Sequence, residues 1–126
     1  MRIVFMTVVA AALLNPLVGQ TGSDQVKSVP VILRPDTEHG SCSIGFRVND
    51  GGALLRSGPS RAHPVIAKLK AGHVVSGCDG TDLWEGIIDG LDETCSVGIM
   101  ITKEQAYAGP CASGWVEQTF LTSIYG

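Results

Sequence analysis

At 126 residues with a formal charge of −3, the chain is long enough for one domain and not for two. Its acidic balance argues against nucleic acid and anionic lipid surfaces as partners. Lys68 and Lys70 are the densest basic spot, and they alternate with apolar residues as the solvent face of a strand does.

Met1 and Arg2 lead into IVFMTVVAAALL, an apolar run broken at Asn15 and Pro16. A charged start, an apolar run of about a dozen residues and a small or polar sequel are the pattern of a secretory signal peptide, here residues 1–20. The run is shorter than the roughly 20 residues a bilayer requires, so a spanning or buried helix is the lesser reading. Cleavage is expected near Gly19 to Gly22, although no A-x-A site stands there. A lipoprotein would need a cysteine at the cut, and the first is Cys42. Loss of Arg2 with the leader takes the charge from −3 to −4. The mature protein is expected in the periplasm or outside the cell, with no membrane insertion after cleavage.

Residues 21–41 mix Pro, Gly and polar residues around one apolar patch, VPVIL, and read as a loosely ordered lead-in whose patch rests on the domain. From residue 42 to 126 the pattern is regular. In CSIGFRVN the side chains of Cys42, Ile44, Phe46 and Val48 alternate with polar or small ones, the period of a half-buried strand. Asn49 to Gly52 then signal a turn. Further short strands are predicted at ALLR, VIAKL, HVVSGC, LWEGII, SVGIMIT and SGWVEQTF, parted by Gly, Pro, Asp and Ser. No stretch holds a helical period, so the expected class is all-β, a small barrel or sandwich.

Cys42, Cys78, Cys95 and Cys111 form an even set in a short exported chain, the setting in which disulfides persist. A zinc site is disfavoured because no C-x-x-C pair exists. Three connectivities are open. The favoured one joins Cys95 to Cys111 across a loop of about 15 residues, a closure that would contribute roughly 3 kcal/mol. Cys42 with Cys78 follows by subtraction.

The ordered segments ALLRSGPS, HPVIAKLKAGHVVSGCDG, LWEGII and ASGWVEQTFL resemble the bacterial SH3 (SH3b) domain over residues 53–122. That family shows L-x-V-R-x-G-P-S, an apolar V-I, L-x-x-G, V-x-V, W-x-x-V and a closing G-W-V-x-x-x-Y-L. The resemblance implies a small SH3-like barrel. Leu54 stands where the family commonly has Asn, and Phe120 where it has Tyr. The family also joins its last two motifs by a short hairpin, whereas this chain carries an insertion at about 89–112. Val97, Ile99 and Ile101 alternate with Gly98, Met100 and Thr102, so an extra strand or an inserted hairpin is expected, clasped by Cys95 and Cys111. Such an element is either a recognition surface or a cover for a sheet edge.

The resemblance further implies a ligand groove beside the loop of Arg56, Ser57, Gly58 and Pro59. Arg56 would pair with a carboxylate of a wall stem peptide, and Trp84, Tyr107 and Trp115 would stack on sugars or peptide. The preferred plainer readings are a loop-carbonyl contact for Arg56 and core burial for both tryptophans.

Nucleophilic catalysis needs a base beside a Ser or Cys, yet His39, His63 and His73 each stand alone and the cysteines are expected oxidised. The carboxylates from Asp79 to Glu93 sit in turn sequences, DGTD and DGLDE. No enzyme, cofactor or metal is therefore expected. The leading expectation is an exported, non-catalytic envelope module that binds peptidoglycan or an envelope peptide or protein. The alternatives are an inhibitor or immunity-type protein blocking an exported hydrolase, or a structural subunit of an envelope complex.

Overall fold

A computed structural model describes residues 26–36 and 38–125, so the leader lies outside the described residues. The fold is all-β. Among the described residues nine strands follow in chain order: β1 (Ile32–Leu33), β2 (Ile44–Val48), β3 (Ala53–Arg56), β4 (Val65–Leu69), β5 (Val74–Gly80), β6 (Trp84–Ile88), β7 (Gln105–Ala106), β8 (Ser113–Glu117) and β9 (Leu121–Tyr125). Single 3-10 turns cover Glu93–Cys95 and Gln118–Phe120. Seven strands make one antiparallel sheet in the order β4-β3-β8-β6-β5-β2-β9, and β1 pairs with β7 beside it.

No ladder joins the edge strands β4 and β9 among the described residues, so the sheet is open by hydrogen bonding. It is nonetheless strongly curled. In a flat sheet those edges would lie about 29 Å apart at about 4.8 Å per strand. Yet Leu69 of β4 and Leu121 of β9 share one apolar cluster with Val48, Leu55, Val75, Ile87 and Val116, to which every strand of the sheet contributes. Register shifts at Gly45/Phe46, Leu55/Arg56 and Gly77/Asp79 supply local bends of the kind that let a sheet wrap.

The central strands are covered on both faces, because successive side chains point to opposite sides. Ile87 and Val116 enter the inner cluster, while their neighbours Ile88 and Trp115 point outward. Over that outer face lies a second layer made of the lead-in and the insertion. Val31 packs on Trp84 and Trp115, and Leu33 joins Ile88, Cys95 and Val97. The cysteines pair as Cys42–Cys78 and Cys95–Cys111, and both bridges border the second cluster.

The insertion contributes one short extra strand, β7, which pairs with β1, and not a hairpin of its own. Residues 96–102 form no strand, although burial still alternates, with Val97 buried and Gly98 exposed. Ser96 (φ 62°) and Gly98 (φ 77°) are left-handed, which ends an extended run. Ser41 holds this loop instead, by donating to the Ile99 carbonyl at 2.8 Å and accepting from the Gly98 amide at 2.7 Å. Cys42 is likewise outside β2, since its φ of 60° turns the chain before Ile44. Strand β9 is an element the pattern concealed: LTSIY is an edge strand with no run of apolar residues.

Candidate functional site: the groove beside the loop after β3

Arg56 ends β3, and its side chain turns back over the loop it begins. Nη1 donates to the carbonyls of His63 at 2.9 Å and Arg61 at 3.2 Å. The His63 ring lies over Gly58 so closely that any side chain there would occupy the ring's space, which is why the position needs glycine. Ser60 Oγ sits 2.8 Å from His63 Nδ1 and accepts the Ala62 amide at 3.2 Å. The Ser57 carbonyl receives the Val29 amide at 2.8 Å. Residues 56–60 thus form a fastened loop, and Arg56 is one of the fasteners.

The other residues expected at a site are also placed in structural contacts. Trp84 and Trp115 are 8 % and 3 % exposed, and Trp115 Nε1 donates to the Val29 carbonyl at 2.8 Å. Their bulk fills the layer between sheet and lead-in, not the sheet's inner core. The Tyr107 hydroxyl donates to the Cys95 carbonyl at 2.9 Å and accepts the Cys111 amide at 3.2 Å, bracing the clasp. Of the expected set, Trp84 lines the cleft beside the loop, Arg56 stands opposite Trp115 in the ladder between β3 and β8, and Tyr107 lies with the insertion.

Between the loop and the start of β6 runs a cleft of about 360 Å³, lined by Ser60, Arg61, Leu83, Trp84, Glu117 and Thr119. Its walls are held by backbone. The Leu83 carbonyl accepts the Gln118 amide at 2.9 Å, and the Thr81 amide donates to the Trp84 carbonyl at 2.8 Å. Gln118 Nε2 also reaches the Thr81 carbonyl at 3.0 Å. With its main chain so fixed, the Leu83 side chain is left 70 % exposed. Arg61 meets Glu117 through two parallel hydrogen bonds of 3.0 and 2.9 Å, the fork geometry that also suits a ligand carboxylate. Glu117 raises the already high pKa of the guanidinium, so Arg61 stays charged. Glu117 is shared with a larger cleft of about 570 Å³ that Leu54, Lys68, Lys70 and Phe120 line.

A third cleft, about 410 Å³, is polar and borders the Cys42–Cys78 bridge. Asp79 is satisfied there, accepting from Arg34 Nη1 at 2.6 Å and from the Ile32 amide at 3.0 Å. Burial pushes the Glu85 carboxyl up to about 7, against a 3.5 Å hydrogen bond from Gln118 and with the charge of Asp79 adding to the rise.

Leu83, Arg61 and Glu117 are the groove residues that sequence reasoning missed. Leu83 had a signal, an apolar residue inside the polar turn DGTDLW. The pairing of Arg61 with Glu117 spans 56 positions and leaves no local trace. Comparison with known protein families, characterised proteins and solved structures finds no match. The two disulfides are compatible with an oxidising, extracellular environment. Among the described residues no helix is long and apolar enough to cross a membrane.

Proposed function

We propose that the protein is an exported, non-catalytic binding module of the bacterial cell envelope, of SH3b type, that takes a wall stem peptide or envelope peptide in the groove between the 56–63 loop and Leu83. The observation that carries this is the groove itself. An exposed leucine stands on backbone-fixed walls beside the Arg61–Glu117 pair, so an apolar anchor and a guanidinium that a ligand carboxylate would take over from Glu117 share one cleft. The SH3-like reading is supported by the motif order, whose segments fall on β3, β4, β5, β6 and β8, and by the curl of the sheet around one core. A closed barrel would need β4 and β9 to approach as edges, which the shared cluster favours. Export is supported by the leader pattern and the two bridges.

The non-catalytic reading draws on the Ser60–His63 contact. It uses Nδ1 within one loop, and the ring's other side is covered by Gly58, so the pair acts as a fastener. A second reading, an inhibitor of an exported hydrolase, draws on Met100, 63 % exposed in the insertion that Cys95–Cys111 clasps.

Sedimentation with purified sacculi at low salt and with intact disulfides tests the proposal. The protein should cosediment, and Leu83→Ala or Arg61→Ala should weaken binding about fivefold or more, as loss of an interface anchor does. Failure of the wild type to cosediment removes the wall reading, and capture of a hydrolase from envelope extract would then favour the inhibitor.

A further inference from the structure

Tyr125 stands directly opposite Gly45 in the ladder between β9 and β2. The ring covers that glycine so closely that a side chain at position 45 would intrude into it. The phenol carbon and both its ring neighbours are the atoms met, at similar range, so the ring lies face-on to β2 and not on edge. A ring laid flat on a strand has its second face turned outward, and Tyr125 is 51 % exposed. Both side-chain torsions are then already restricted, so presenting this face to a ligand costs little conformational entropy.

The ring lines a cleft of about 530 Å³ together with His39, Ser43, Leu91 and Val97. The far wall is stapled in place, because Cys42 is bonded to Cys78 and the Ser41 backbone holds Gly98 and Ile99. Among the described residues no Asp, Glu, Lys or Arg lines the cleft, and Asp36 and Glu38 stand behind the His39 ring at 3.6 and 3.7 Å from its nitrogens, so an ion of either sign finds no formal counter-charge in the lining. A wholly apolar ligand would cover the Ser43 hydroxyl and the His39 imidazole without replacing their hydrogen bonds, a penalty on each. What the lining matches is a neutral ligand with one flat apolar face and a polar rim.

We infer that this cleft binds a saccharide, with an N-acetylated hexopyranose stacked on Tyr125. The C–H face of a pyranose carries weakly positive hydrogens that meet the negative face of the ring. Its hydroxyls then reach Ser43 and His39 at the rim, and the acetamido methyl lies against Leu91, itself 52 % exposed, and Val97. The inference rests on these residues alone and not on the Leu83 groove, so either site can fail without the other.

The test titrates triacetylchitotriose into the disulfide-bonded protein, followed by calorimetry and by two-dimensional NMR. Saturable binding is expected, with shifts at Ser43, Leu91 and Tyr125. Tyr125→Leu, which still covers Gly45 but lacks the aromatic face, should weaken binding tenfold or more. Tyr125→Trp should keep it, and Leu83→Ala should leave it unchanged. Peptide-free wall glycan and chitin beads then distinguish the source of the sugar, and capture by either supports the site. No saturable binding at millimolar sugar, or equal affinity of wild type and Tyr125→Leu, overturns the inference. Equal binding of cellotriose overturns its N-acetyl part. Should Tyr125→Leu fail to fold, the shift map of the wild type and the affinity of Tyr125→Trp decide the matter by the same criteria.

Discussion

Around Val48, Leu55, Val75 and Ile87 the chain is held by ladders and by one shared apolar cluster. Between Asp89 and Ala112 it is held by a disulfide, one tyrosine hydroxyl, a two-residue bridge to β1, single backbone bonds and a smaller cluster of Cys95 and Val97 with Leu33 and Ile88. In the first region each contact is backed by neighbours in register, so damage is shared across the sheet. In the second, a short ladder and a smaller cluster leave fewer neighbours behind each fastening, and losing one should free a stretch of chain while the sheet persists. The comparison separates global from local stability within one small domain.

The largest effect should come from the sheet. Ile87→Ala empties a fully buried site and should cost about 2–5 kcal/mol in urea unfolding, with lowered exchange protection throughout. The clasp comes next. Cys95→Ser with Cys111→Ser opens a bridge between positions 16 apart, and a cost of about 3 kcal/mol is expected. Hydrogen exchange should then rise across residues 89–112 and not in β5 or β6; a uniform rise would erase the distinction between the regions.

Tyr107→Phe should cost less, about 1–3 kcal/mol, because the half-buried Cys111 amide and Cys95 carbonyl lose their partner. Its signature is again local exchange, without loss of the disulfide on mass analysis.

The smallest effect is a pH dependence in the sheet. Glu85 holds its proton up to about 7 when folded, against an ordinary 4.5. Between those values the folded chain binds more proton than the unfolded one, so stability falls as pH rises through the window and levels off above it. Because the side chain is only half-buried, screening keeps the difference at about 1 kcal/mol or less. The wild type should lose more stability between pH 5 and pH 8 than Glu85→Gln, and parallel profiles would show that the carboxyl is well solvated.

Much of the sheet was legible because its strands obey a two-residue period between strong turn signals. ALLR and VIAKL became β3 and β4 with the expected bounds, and LWEGII holds β6. SVGIMIT shows where that signal misleads. Its alternation is real in burial, yet two left-handed residues and the absence of a strand partner leave it a loop. The tryptophans were legible as buried, but not the layer they fill, since that depends on Val31 crossing the outer face.

RSGPS pointed to the loop that borders the proposed groove, and the two arginines there are placed differently. Arg56 is drawn inward by loop carbonyls, and Arg61 is the one that reaches the groove to meet Glu117. Sequence by itself determined the all-β class, the turn at residues 49–52 and the fastened loop after β3, because these follow from local backbone preference and side-chain period. Only the tertiary structure decided which side chains line the clefts. Leu83, Arg61, Glu117 and Tyr125 owe their exposure to partners tens of positions away, and such pairings are set by how the sheet curls, which no local pattern encodes.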